Sequence, residues 1–305
     1  MQEGANEGAK DGQKTQEETL IDISDTQTKQ TEREKRSVRK TSKPQEMVDS
    51  ISLSSDDSMP GINRRRVPRV NCPEKIILCV DLSPEMNEAS FHSRTAPERT
   101  AYQFVRKASQ MFVKNKAYLN PSHEYGIIVL EDEASWYQQF ESNPDTVCTV
   151  LDHLTPNEQE TKETFDMESL FQAIQGRIVL PELEDPHLPP PYVVRVILVY
   201  GRSLCSPVIS SHGNQILRSL MQSPYFFFDV LYVHQLPSEN NRCESIYDTF
   251  CELDEDEVGY MLEVSRSTTR LFDHMAALLA HPLQRPIQRD TYYMLTLKTD
   301  GQESQ

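Results

Sequence analysis

The chain has 305 residues, with 31 basic against 47 acidic side chains, a formal net charge of -16 and 37% hydrophobic residues. That apolar share is low for a chain folded throughout, and the deficit is uneven: every aromatic residue lies at Phe91 or beyond, while residues 1–70 carry 13 basic and 13 acidic groups. The whole surplus of 16 negative charges therefore belongs to residues 71–305, which argues against nucleic-acid backbone binding as the main task.

Residues 1–69 read as a disordered polar arm, because without aromatics they cannot bury enough surface to offset the entropy of ordering. The arm holds a basic cluster, Lys35, Arg36, Arg39 and Lys40, and a serine–acid tract over 50–58 in which Ser54 or Ser55 could accept phosphate. Arg64, Arg65 and Arg66 form a second basic cluster, readable as a nuclear-import patch or as a solvated boundary. Residues 1–20 have no apolar segment of signal-peptide type, and no run of 18 apolar residues occurs, so an intracellular chain without a transmembrane helix is expected. The six cysteines lack paired short spacings, so free thiols are expected, with Cys79 buried.

Residues 75–83, KIILCVDLS, are an apolar run ending in acid and hydroxyl groups, as when a buried parallel strand reaches the carboxyl edge of a sheet. Residues 98–118 place Tyr102, Val105, Ala108, Met111 and Phe112 at helical spacing, with Arg106, Lys107, Lys114 and Lys116 expected on the surface and Pro121 as the stop. Residues 124–132 predict a second central strand. Residues 134–140 follow so closely that an antiparallel neighbour is expected, with Trp136 as a half-buried aromatic. Helices are predicted over 144–153 and 166–178, the latter capped by Asp166, and the proline-rich loop 181–191 separates them from the rest. Strands over 192–201, 226–236 and 259–266 then alternate with helices over 211–222, 245–253 (or a turn) and 270–281, the last ended by Pro282. Residues 291–297 read as an extended segment. The alternation predicts an α/β fold over 70–281, a doubly wound, mostly parallel sheet with helices on both faces.

In such a sheet, ligands gather outside the carboxyl ends of the strands. Asp81, Ser83 and Glu85 alternate there and offer oxygen ligands for a hard cation such as magnesium, with Thr164 as a further candidate. The strand over 192–201 should supply an acid at its end and supplies Tyr200-Gly201-Arg202 instead. No glycine-rich phosphate loop follows the first strand, and no serine sits in a nucleophile elbow. His123, His153, His187 and His212 form no catalytic set in sequence.

Asp81-Leu82-Ser83, the Thr164 loop and the α/β alternation resemble the von Willebrand factor A fold and its metal-ion adhesion site. That motif asks for serine at Glu85 and for an acid at Tyr200-Gly201-Arg202, so the resemblance favours a degenerate site and a scaffold. The strings RVNCPEKIILCVDLSPEM (69–86), PPPYVVRVILVY (189–200), SPYFFFDVLYVH (223–234) and LLAHPLQRP (278–286) resemble, in order, the von Willebrand factor A-like scaffold subunits of the BRISC deubiquitinase and BRCA-A complexes. The resemblance implies a non-catalytic subunit without a cofactor, in an assembly that removes non-degradative ubiquitin chains. The implied settings are DNA-damage signalling and cytoplasmic deubiquitination, with cytoplasmic and nuclear localisation. It further implies a BRE-type ubiquitin-conjugating-like scaffold subunit as the immediate partner, and through it a metalloprotease deubiquitinase subunit and its pseudo-enzyme scaffold. No direct nucleic-acid or membrane contact is expected.

The resemblance places the docking segment at Pro282, Leu283, Gln284, Arg285 and Pro286, to which the residues themselves add Ile287, within a third region of the chain, 282–305. The residues themselves agree with either of two roles. The prolines favour an extended shape, Leu283 and Ile287 can enter apolar pockets, and Arg285 can fork onto a carboxylate. Alternatively, Pro282 only stops the preceding helix. A different reading of the chain is a metal-dependent binding module that grips an acidic ligand through Asp81, Ser83 and Thr164.

Overall fold

The computed structural model describes residues 67–91, 99–158, 162–185, 187–254 and 256–291. The polar arm through residue 66 and the segment beyond Thr291 lie outside the described residues, and with them the arm's basic clusters and serine–acid tract. All described residues belong to one unit of the chain, Asp56–Gln305.

The first strand, β1 (Glu74–Asp81), is buried on both sides from Ile76 onward, as a strand covered on both faces requires. A 3-10 turn (Pro84–Asn87) and two short strands, β2 (Ala89–Phe91) and β3 (Arg99–Thr100), lead into α1 (Ala101–Leu119). Thr100 caps α1 by accepting the Gln103 N–H at 3.2 Å, while the Gln103 side chain accepts the Thr100 N–H at 3.3 Å. The strands β4 (Glu124–Leu130) and β5 (Ala134–Glu141) form a hairpin, followed by α2 (Pro144–His153). Next come β6 (Thr164–Asp166), α3 (Met167–Gln175), β7 (Val193–Tyr200), β8 (Ser206–Val208) and α4 (Ser211–Met221). The chain continues through β9 (Phe226–Val233), α5 (Cys243–Glu252), β10 (Met261–Val264) and α6 (Thr268–Ala277).

Six strands form one sheet in the order β10-β9-β7-β1-β4-β5, parallel throughout except for β5. Alternate residues divide its two faces. Ile76, Leu78 and Val80 point to one core with α1, α2 and α6; Ile77 and Cys79 point to the other with α3, α4 and α5. This is the doubly wound, mostly parallel α/β sheet with helices on both faces expected from the alternation. Trp136 is half-buried and donates to the Ala173 carbonyl at 2.6 Å; its ring lies so close over β4 that a Cβ at Gly126 would meet it at 2.6 Å. Asp166 caps α3 as expected, accepting the Glu168 N–H at 2.9 Å.

Two expectations change, and two small strand pairs are added. Lys116 is not on the surface of α1 but 1% exposed beneath the sheet's amino edge, paired with Glu74. The last helix stops at Ala277 rather than 281, because the carbonyls of Leu278, Leu279 and Ala280 turn away to accept from Arg195 and Lys116. The small pairs β2–β3 and β6–β8 were too short to show a period in sequence. Among the described residues all six cysteines are free, Cys79 buried among them, and no helix is long and apolar enough to cross a membrane.

The edge strand β10 is short and is pinned from both sides. Gln288 reaches along its outer edge, its amide accepting the Met261 N–H at 2.6 Å and donating to the Met261 carbonyl at 2.8 Å. On the inner side, buried His234 lies 3.1 Å from the Glu263 carboxylate and stacks on Tyr232. Burial alone would lower the His234 pKa, but the Cys243 thiol and Glu263 overcome it and raise it to about 9. The stabilisation from this pair is then complete below the ordinary histidine value near 6.5 and is lost as pH rises through about 9. Wild type is therefore expected to lose unfolding free energy between those values relative to Glu263→Gln, measured by urea titration at stepped pH. Parallel pH profiles for the two proteins would refute the assignment.

Candidate functional site

At the carboxyl edge of the sheet the site is built around Asp81, which ends β1 and is fully buried. Its carboxylate accepts the Ser83 N–H at 2.9 Å and the Gly201 N–H at 2.8 Å. The Arg202 Nε donates to both Asp81 oxygens, at 3.1 and 3.2 Å. The rest of that guanidinium donates to the carbonyls of Glu131 at 2.6 Å and Leu130 at 3.4 Å and to the Cys205 sulfur at 3.7 Å. The rings of Phe165 and Tyr200 lie 4.7 and 5.7 Å from it. Burial disfavours the Arg202 charge most, yet Asp81, Tyr200 and Cys205 together more than offset it and hold the guanidinium protonated. Gly201 has no room for a side chain, since a Cβ there would meet the Met86 sulfur at 2.0 Å.

The other expected ligands have other work. Glu85 accepts the N–H groups of Ser203 at 2.7 Å and Leu204 at 3.3 Å, while burial pushes its pKa up. Thr164 is exposed on β6, and it is the next residue, Phe165, that turns inward onto Arg202. Only the Ser83 hydroxyl is buried and unpartnered among the described residues of this set. These residues do not fit a divalent ion: at about 4 Å and an effective dielectric near 20, Arg202 would oppose each unit of added positive charge by about 4 kcal/mol. Among the described residues no group of three or more His, Cys, Asp or Glu could hold a metal.

A second cluster lies at the amino end of the same strands. Arg195 of β7 is fully buried and donates to Asp229 at 2.7 Å and to Glu74 at 3.4 Å. It also donates to the Leu278 and Ala280 carbonyls, at 2.7 and 3.2 Å. Lys116 pairs with Glu74, and the Glu74 N–H donates to His123 Nδ1 at 2.8 Å. Burial alone would raise the carboxyl groups of Glu74 and Asp229, but their cationic neighbours hold both below the usual carboxylate range. His123 is pushed down to about 4 by burial and is neutral here, a structural role for a histidine that the sequence left unplaced.

Residues 278–291 cross this cluster as a strap. Arg285 is buried; its fork lies on Asp229, with one further bond to the Val258 carbonyl at 3.2 Å, and its guanidinium is 3.9 Å from the Tyr260 ring centre. The Tyr260 hydroxyl donates to the Pro286 carbonyl at 2.8 Å. Pro282 is buried, Leu283 packs partly against Val193, Tyr225 and Phe227, and Ile287 is half-buried. Gln284 and Pro286 face outward. The packed region thus continues past residue 281.

No family model matches the chain. It is 40% identical over 234 residues to BRISC and BRCA1-A complex member 1 of Xenopus laevis, covering 75% of this chain and 70% of that one. The human protein of the same name is 40% identical over 241 residues, covering 77% and 72%. The chain belongs to this family. Among solved structures it is similar to the SpRpn10 VWA domain, at 14% identity and a TM-score of 0.45 over 70% of this chain and 99% of that one.

For this family member the sequence-predicted residues separate into two ends of one sheet. Asp81, Ser83 and Glu85 gather at the carboxyl edge around Arg202, and Thr164 does not join them. Pro282 to Ile287 lie at the other end. Within it the fork of Arg285 lies on Asp229 of the same chain, beside Arg195. Sequence reasoning missed the Glu74–Arg195–Asp229 cluster, although charged residues inside otherwise apolar strands were the available signal.

Removing one partner of a buried pair costs about 3–5 kcal/mol, whereas exposed substitutions stay within about 0.5. Lys116→Ala and Arg285→Ala are each expected to fall in the first range, and Lys114→Ala, on the exposed face of the same helix, in the second. Urea unfolding of the three variants against wild type is the check.

Proposed function

We propose that this chain is a non-catalytic scaffold subunit of a deubiquitinating assembly of the BRISC and BRCA1-A type. The observation that carries the reading is its 40% identity, over 241 residues, to a human protein named as a member of those complexes. The geometry supports a scaffold role: the polar groups at the carboxyl edge are committed to holding loops, with Asp81 bound to Arg202 and Glu85 to backbone N–H groups. In this reading a BRE-type ubiquitin-conjugating-like subunit is the immediate partner. It connects the chain to a metalloprotease deubiquitinase subunit and its pseudo-enzyme scaffold, which remove non-degradative ubiquitin chains. The work takes place in the nucleus, in DNA-damage signalling, and in the cytoplasm, without direct nucleic-acid or membrane contact.

The strap from Pro282 to Ile287 is the proposed docking segment. It is held in shape before binding, so little conformational entropy is lost on association. Gln284 and Pro286 are its outward face, Leu283 and Ile287 its partly covered apolar flanks, and Arg285 its anchor to Asp229.

Co-expression with the BRE-type subunit is expected to yield a complex that survives size-exclusion chromatography. Leu283→Ala with Ile287→Ala is expected to weaken that complex roughly tenfold or more by calorimetry. The variant's own melting curve separates lost contact from lost folding. Wild-type affinity in a folded double variant would overturn docking through the strap, and no complex with wild type would overturn the partner assignment.

A further inference from the structure

Four oxygens converge on one positive charge at the carboxyl edge: both oxygens of Asp81 and the carbonyls of Leu130 and Glu131, all accepting from Arg202. A carboxylate with backbone carbonyls is a donor set that hard divalent ions also use. Here the set is met through N–H donors instead, and the Phe165 and Tyr200 rings flank the cation. The Ser83 hydroxyl, two residues from Asp81, is left buried and unpartnered among the described residues. A set of oxygens closed around a covalently attached cation, and one oxygen left over beside it, are two observations with one explanation.

We propose that Arg202 is a built-in cation that replaces a divalent ion and fixes the ends of β1, β4 and β7 in a single, metal-independent arrangement. A bound ion comes and goes with its concentration, but a guanidinium on the chain does not. The loops it holds are therefore locked in one state. Glu85 extends the lock by taking the Ser203 and Leu204 N–H groups, and the Ser203 hydroxyl accepts the Gln235 N–H at 2.9 Å, beyond the end of β9. The Arg242 N–H donates to the Ser203 carbonyl at 2.8 Å and ties in the start of α5. The Tyr232 hydroxyl closes the arrangement by donating to the Arg202 carbonyl at 3.1 Å. Arg202 is thus a positioning residue for the whole carboxyl edge.

The test is thermal melting of the full chain with millimolar magnesium and with EDTA, for wild type, Arg202→Ser and Arg202→Lys. Wild type is expected to melt at the same temperature in both media. Arg202→Ser is expected to melt roughly 10 °C lower and to regain part of that loss with magnesium or with free methylguanidinium, either of which refills the oxygen set. Arg202→Lys keeps the charge and is expected to lie between the other two proteins, without a magnesium response. A wild type stabilised by magnesium would overturn the proposal. So would a serine variant as stable as wild type, or one that neither cation restores. Should the serine variant not fold, a folded lysine variant upholds the proposal and an unfolded one sinks it, because then the charge is not what holds the edge.

Discussion

Arg195 sits near the amino end of the central strand β7 with no exposed surface, and much of the architecture follows from pairing it. An unpaired charge in that position would cost several kcal/mol. Glu74 from β1 and Asp229 from β9 supply the counter-charges, and the carbonyls of Leu278 and Ala280 accept from the same Nη1 that faces Glu74. Lys116 from α1 pairs with Glu74, and Arg285 from the strap with Asp229. The cluster then holds three cations against two anions, and the carbonyl end of α6 provides the remaining negative potential. Each added member fixes a different element, and the position of the strap is the last step of that sequence. The rule is that each buried ion has an opposite charge beside it; hydrogen bonding falls short of complete, since Arg195 Nη2, Arg285 Nε and His123 Nε2 are buried without a hydrogen-bond partner among the described residues.

The opposite end of the sheet obeys the same rule with fewer parts. Asp81 is as deeply buried as Glu74 and Asp229, and Arg202 is its cation. Both ends use arginine rather than lysine at the decisive point because a planar fork can meet a carboxylate and several carbonyls at once. Arg202 reaches four acceptor oxygens and a sulfur from one side chain, which an ammonium could not do in fixed geometry. The consequence is shared as well. Acidic groups that could have served chemistry at strand ends are consumed in holding the strands, which leaves the outer surfaces for recognition.

The sequence displayed the layers well and the charges poorly. Runs such as VVRVILVY and FFFDVLYV are apolar enough to mark buried parallel strands despite Arg195 and Asp229 within them, so the six main strands were legible and their order was not. Apolar spacing on α1 was clear, yet it could not say that Lys116 faces inward, because a lysine at a helix end is solvated in most settings. The departure at Tyr200-Gly201-Arg202 was visible as the wrong charge for a metal site. Its positive meaning required knowing that the ends of β1, β4 and β7 meet in space. Arg285 is the same case in reverse: its neighbours in sequence suggest an extended ligand, while its partner, Asp229, is 56 positions away.

The charge imbalance acquires a sharper meaning from this burial. Lys116, Arg195, Arg202 and Arg285 are buried basic side chains drawn from a region already short of them. Among the described residues six acidic side chains, Glu74, Asp81, Glu85, Asp229, Asp254 and Glu263, are buried with these four basic ones, so the solvated surface keeps an acidic surplus that is only slightly reduced. That surface repels polyanions and steers cationic partners over distances of about a Debye length, roughly 8 Å at physiological ionic strength. The outward residues of the strap, Gln284 and Pro286, carry no charge. Under the proposed docking, a partner is held at the strap by shape, apolar contact and hydrogen bonds, while the acidic surplus of the whole region acts on its approach. Burying Arg285 separates those two functions: had its guanidinium stayed exposed, one residue would have set both the local charge and the local fit.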